Sequence, residues 1–184
     1  LTTKGVKQIT SPSDLKGVKI RSMEAQVWQD VITALGGTPI PVSFSELYMA
    51  LQTGVVNGQD NPISVTYANK LYEVADYIYR TDHCYNTSMW LINPDAYDAL
   101  DEEDRTLFDS LVEKYIHGQY RDEMGAYTEK AVADIESSGC QIIDSSEFDI
   151  QAFYDNAAQL IDEKYMTNDA YAPFIQEIRE RYHY

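Results

Sequence analysis

Asp14-Leu15-Lys16-Gly17-Val18-Lys19-Ile20-Arg21 is a turn that feeds a short apolar strand, and the strand ends on a charge. Just downstream, Val27, Trp28, Val31, Ile32 and Leu35 recur at helical spacing between Glu24 and Leu35, and Gly36-Gly37 stops that helix. Pro39-Ile40-Pro41-Val42 follows as an extended segment whose prolines suit an edge strand or a strand end. Strand, helix and strand in this order open an α/β sandwich.

The rest of the chain continues the alternation. Ser43 with Glu46 three residues on has the form of a capping box, ahead of a helix carrying Leu47, Met49, Ala50 and Leu51 that breaks near Gly54. Val55 to Asn61 is a turn, and Pro62 takes the first position of a new helix. Ala75 to Thr81 and Met89 to Ile92 are predicted strands, with Asp82-His83-Cys84-Tyr85-Asn86 between them. Pro94-Asp95 opens a short helix, and Asp101-Glu102-Glu103 sets negative charge on the N-terminus of a long one. Its apolar positions hold helical register almost to Gly139, which at 1.5 Å per residue is about 55 Å, longer than one small lobe is wide. Gly118 and Gly125 are its expected bend points. Cys140 to Asp144 is a last strand, and the remainder is helical with Pro173 interrupting it. A helix too long for one lobe points to two lobes joined by crossing elements.

Composition removes several function classes. The 184 residues are 44% hydrophobic, enough for a substantial core. Thirty acidic against 14 basic residues leave a formal charge of −16, which repels phosphate backbones and anionic lipid, so no nucleic-acid partner is expected. No apolar run approaches the roughly 18 residues that span a bilayer. Cys84 and Cys140 read as core residues or unpaired thiols. His83, His117 and His183 show none of the spacings that metal sites use, and no Gly-x-Ser-x-Gly elbow, phosphate-cradling loop or dinucleotide fingerprint occurs. No metal, no cofactor and no enzymatic activity are expected.

Three residues stand out instead. Arg21 ends a buried-looking strand, where a charge needs a partner: either a protein carboxylate at the sheet edge or a ligand carboxylate gripped by the guanidinium fork. Asn61 before Pro62 reads as a helix cap or as an amide with its donors in a cleft. Phe44 is by default a core aromatic.

In order and spacing, Asp14 to Arg21, Ala34-Leu35-Gly36-Gly37-Thr38-Pro39, Phe44 to Pro62, Lys70-Leu71-Tyr72-Glu73-Val74 and Thr81-Asp82-His83 resemble the substrate-binding proteins of tripartite ATP-independent periplasmic (TRAP) transporters, the DctP type. The resemblance is specific over this stretch, looser from Met89 to about Asp144, and mainly a helical pattern beyond. It implies a periplasmic-binding-protein-like α/β fold with two lobes and a cleft between them, and capture of a small organic acid (a dicarboxylate, keto acid or sugar acid) outside the cytoplasm. The ligand would pass to integral membrane permease subunits driven by an ion gradient, so the protein would be periplasmic or extracellular and meet the membrane through the transporter. A ligand-sensing ectodomain on the same fold is the alternative. By the resemblance, Arg21 salt-bridges the ligand carboxylate, Asn61 hydrogen-bonds it and Phe44 lines the pocket. Met23, Glu24, His83 and Tyr85 lie where contacts vary. Family members are longer, so most of a first lobe is expected before Leu1. Residues 1–87 would then belong to the second lobe, 88–128 would cross to the first, and 129–184 would return. Such a chain, taken alone, is expected to self-associate.

Overall fold

Hydrophobic alternation along short strands builds one six-stranded sheet, whose computed structural model describes residues 1–84 and 89–182. The strands are β1 (Thr2–Thr3), β2 (Lys19–Ser22), β3 (Thr38–Pro41), β4 (Gly58–Gln59), β5 (Tyr77–Tyr79) and β6 (Gln141–Ile143). They lie in the order β3-β2-β4-β1-β5-β6. Pairing is parallel except around β1, which runs antiparallel to both β4 and β5. Proline-rich β3 occupies an edge, as its missing N–H donors require.

Successive β5 side chains face opposite ways, and this separates the two layers. Tyr79 joins Ile20, Ile32, Leu35, Ile143 and Phe153 on the face covered by α1 (Gln26–Ala34) and α7 (Ile150–Leu160). Ile78 packs with Ile135 and Cys140 on the other face, where α3 (Ile63–Ala68) and α6 (Tyr120–Ser137) lie. A third cluster, Leu47, Leu51, Val56, Leu71 and Val74, closes around α2 (Leu47–Thr53). Close approach of strands at the sheet centre explains Gly58: a Cβ there would stand 2.5 Å from the Thr2 carbonyl oxygen and 2.7 Å from Ile20 Cδ1.

The long helix is continuous in path but not in hydrogen bonding. A short helix, α4 (Pro94–Asp98), precedes it, and α5 (Glu102–Leu111) starts on an Asp101 cap that accepts from the Asp104 N–H at 2.9 Å. Val112–Gln119 is π-helical and runs into α6. Gly118 falls inside this irregular stretch, whereas Gly125 sits within α6. Tyr67 Oη donates to the Asp134 carboxylate, which also pairs with Lys130, so the second half of the helix is pinned to α3.

Four local expectations need correction. Met89–Ile92 is not a strand: no described segment pairs with it and its side chains are 82, 68, 87 and 45% exposed. Strand propensity alone does not make a strand without a neighbour to pair with. Pro173 does not interrupt a helix but sits in the first turn of α8 (Ala172–Tyr182), where its missing N–H costs nothing. Pro62 precedes α3 rather than entering it. Ser43 Oγ donates to the Glu46 carboxylate at 2.5 Å instead of capping backbone donors.

Candidate functional site

Parallel strands put their carboxyl ends on one edge of a sheet, and a crevice outside that edge is where open α/β sheets bind ligands. Here the edge collects the residues that follow β2, β3, β4 and β5. Arg21 stands at the end of β2, Phe44 three residues past β3, Asp60 and Asn61 directly past β4, and Thr81, Asp82 and His83 past β5. Antiparallel β1 begins at the same edge with Leu1.

Arg21 is 6% exposed. Its Nε donates to the Val42 carbonyl at 2.8 Å, and the guanidinium lies 5.7 Å from the centre of the Phe44 ring. Register sets Arg21 beside Ile40 of β3 and Gln59 of β4. The contact with Val42 fixes the plane of the fork while its two terminal nitrogens keep no hydrogen-bond partner among the described residues. Neither of those nitrogens is sealed from the surface.

Gln59 is fully buried and organises the floor. Its Nε2 donates to Thr2 Oγ1 at 2.9 Å and to Thr66 Oγ1 at 3.1 Å, so its Oε1 is left as acceptor for Asn61 Nδ2 at 2.5 Å. This chain of bonds sets the orientation of the Asn61 amide and leaves its second N–H available.

His83 Nδ1 is 2.7 Å from Thr81 Oγ1, and its Nε2 is 3.4 Å from Asp60 Oδ1. Burial works to raise the Asp60 pKa. His83 and Arg21 work against it, and the carboxyl is held below its ordinary value. Asp60 therefore stays ionised and takes part of the Arg21 field.

Beside these groups lies a cavity of about 410 Å³, walled by Asp60, Asn61, Thr81, Asp82, His83 and, from the long helix, Thr128. Arg21, Phe44, Met23 and Glu24 do not wall it. The first two flank it from the next strands, and Phe44 is 43% exposed, not the core aromatic that composition suggests. Met23 and Glu24 are exposed just past β2. Tyr85 falls outside the described residues. The sequence reading missed Asp60 and Gln59, although both adjoin Asn61 at the carboxyl end of a strand, the one local signal that could have found them. His117 is on the surface, paired with Glu113 at 2.8 Å, and Cys140 is a buried core thiol.

A buried guanidinium, an oriented amide and an aromatic ring thus stand together on the carboxyl edge of the α/β sheet. No group of three or more His, Cys, Asp or Glu among the described residues could hold a metal. The chain matches the family "Bacterial extracellular solute-binding protein, family 7" (DctP) over residues 1–168, and it belongs to that family. It is 33% identical over 161 residues to the ectoine-binding periplasmic protein TeaA of Halomonas elongata, an alignment covering 86% of this chain and 46% of TeaA. It is 32% identical over 174 residues to the ectoine/5-hydroxyectoine-binding periplasmic protein UehA of Ruegeria pomeroyi, covering 93% of this chain and 51% of UehA. The crystal structure of a TRAP periplasmic solute binding protein from Roseobacter denitrificans with bound 3-deoxy-D-manno-oct-2-ulosonic acid superposes with a TM-score of 0.74 at 28% identity, over 89% of this chain and 53% of that one. The chain spans about half the length of the relatives it matches. Family members bind solutes and are not enzymes.

Proposed function

We propose that this chain forms one wall of a cleft that captures a small organic acid outside the cytoplasm and delivers it to a TRAP-type membrane permease driven by an ion gradient. The observation that carries the reading is Arg21: a buried guanidinium, fixed through Nε, with its terminal nitrogens free to meet a carboxylate in two parallel bonds. Asn61 supplies a further donor to the same carboxylate, and Phe44 packs against the ligand's apolar face. Asp60 shares the field of Arg21, and His83, which walls the cavity, is a further contact for the ligand. Met23, Glu24 and Tyr85 are the peripheral contacts. The relatives that cover most of this chain carry ectoine in their names and a solved relative carries a sugar acid, so both are candidate ligands. All three are binding proteins, which favours capture over the sensing alternative. No helix among the described residues is long and apolar enough to cross a membrane.

Removing the arginine leaves a ligand carboxylate poorly solvated, at a cost of about 3–5 kcal/mol. In the protein encoded by the whole gene, Arg21→Ala is expected to weaken binding by two to three decades or more, at about 1.4 kcal/mol per decade. Arg21→Lys keeps the charge but loses the fork, and is also expected to bind poorly. Calorimetry placing Arg21→Ala within about threefold of the wild type sinks the assignment.

A further inference from the structure

A buried amide in a central strand needs a reason, and stability alone gives Gln59 little. Register pairs Gln59 of β4 with Thr2 of β1 on one side and with Arg21 of β2 on the other, so the three side chains stand in one row on one face of the sheet. Gln59, Thr2 and Thr66 are all fully buried. Apolar side chains of the same shapes would fill their places at little cost, because a buried hydrogen bond replaced on both sides by apolar groups is close to neutral. What an apolar set could not do is hold Asn61. The proline that follows confines the Asn61 backbone, so its side-chain torsions are what remains to be fixed. Gln59 Nε2 is committed to the Thr2 and Thr66 hydroxyl oxygens, which leaves Oε1 facing the Asn61 amide at 2.5 Å. An acceptor there draws an N–H of Asn61 and repels its carbonyl oxygen. Asn61 walls the cavity and Gln59 does not.

We propose that Gln59 is a positioning residue of the carboxylate site: it does not touch the ligand, but it turns the Asn61 amide so that an N–H, and not the carbonyl oxygen, meets the ligand carboxylate. This rests on the Asn61 part of the capture reading above and deepens it. The terminal torsion of an asparagine is broad and two-fold. Without Gln59 the Asn61 amide turns about that torsion, and one of its two orientations sets oxygen against the carboxylate. Thr2 and Thr66 act one step further out. By taking Nε2 they decide which end of the Gln59 amide faces Asn61. The polarity of a group in the cleft is thereby set from β1 and α3, the two elements that this network ties to β4.

The test is a double-mutant cycle on the protein encoded by the whole gene, read by calorimetry. The probe is whichever of ectoine, 3-deoxy-D-manno-oct-2-ulosonic acid, D-glucuronate, succinate and 2-oxoglutarate the wild type binds tightest. Gln59→Met keeps the length of the side chain and removes both ends of the amide, and it is expected to weaken the probe by about tenfold or more. In an Asn61→Ala background the same substitution is expected to change Kd by less than about threefold, since no amide is left to position. Thr66→Val keeps the shape and frees the Gln59 amide to turn. It is expected to weaken the probe by about threefold or more, again only while Asn61 is present, and it is read in place of Gln59→Met if urea unfolding finds that variant unfolded. A Gln59→Met protein that binds as the wild type does overturns the proposal. So does a loss of the same factor in both backgrounds, which is what a purely structural amide gives. If Asn61→Ala binds the probe as the wild type does while Arg21→Ala does not, capture by Arg21 stands and this proposal alone falls. If Arg21→Ala also binds as the wild type does, or the wild type binds none of these acids, the capture reading itself falls and this proposal with it.

Discussion

The sheet-bearing part of the chain, from Leu1 to His83, closes its cores together with the returning segment from Ala131 onward, whereas no residue from Met89 to Lys130 is buried. The two are not distinguished by apolar content. Met89, Trp90, Leu91 and Ile92 are as apolar as any strand in the sheet, and Leu107, Leu111 and Tyr115 recur at four-residue steps along one face of the long helix, all more than 40% exposed. A patterned apolar face left open by the described residues is a face suited to a partner surface. Relatives of twice this length supply the context: we propose that 1–87 is a nearly complete second lobe, that 88–128 crosses to a first lobe, and that 129–184 returns. The difference between the regions is then one of address. One region folds onto itself, and the other is built to be covered.

Matched truncations break or sharpen that contrast most directly. Phe153 is 1% exposed, with Phe148 and the sheet around it, so Phe153→Ala is expected to cost about 3–5 kcal/mol in this 184-residue chain. Leu107→Ala, at 55% exposure, is expected to fall within about 0.5 kcal/mol of the wild type. Urea unfolding of both variants reads the contrast. A Leu107 penalty approaching that of Phe153 would mean that the long helix is packed within this chain after all.

A smaller effect follows from the same open face. Uncovered apolar surface recruits other chains. Sedimentation of the 184-residue chain is expected to show self-association at tens of micromolar, and Trp90→Ser with Leu111→Ser to weaken it by about tenfold. A clean monomer in both cases would show that this face needs no cover.

What was legible in the sequence follows the same division. Arg21 could be read because a charge at the end of an apolar strand is locally anomalous, and β3 because two prolines confine a strand to an edge. The resemblance brought Asn61 and Phe44 to the site. Asp60 escaped because its partner His83 lies on another strand's exit, brought beside it only when β1 seats itself antiparallel between β4 and β5. Gln59 escaped because an amide in a strand has no local reason to be fully buried, and its reason is Thr2 and Thr66, at sequence separations of 57 and 7 residues. The strand expected at Met89–Ile92 failed for the opposite cause. Its composition is right, but a strand exists only with a neighbour, and neighbours are not encoded locally. The π-helical stretch from Val112 to Gln119 left no periodic signature, since its apolar spacing still fits an ordinary helix.

The smallest expected effect lies at the seam where the returning segment meets the sheet-bearing part. Asp30 of α1 is buried and accepts from Lys164 Nζ at 2.5 Å, Tyr165 Oη at 2.6 Å and Gln26 Nε2 at 3.0 Å. Burial alone would raise its pKa, but these three donors and the Lys164 charge outweigh burial and hold the carboxyl below its usual range. Reciprocally, burial and the bond to Asp30 push the Tyr165 hydroxyl up to about 12. Lys164 is half exposed, so solvent weakens the ion pair, and Asp30→Asn is expected to cost only about 1 kcal/mol at neutral pH. The sign of the pH dependence follows from linkage. A carboxyl whose folded pKa lies below its unfolded value of about 3.9 adds stability above that value and loses it as pH falls through the folded pKa. The stability gap between wild type and Asp30→Asn is therefore expected to hold from about pH 5 to 7 and to close below about pH 4. Urea midpoints at pH 7, 5 and 3.5 measure it. A gap that stays constant down to pH 3.5 would mean that Asp30 holds the seam by shape and neutral hydrogen bonds, and that the two parts of the chain meet there without help from charge.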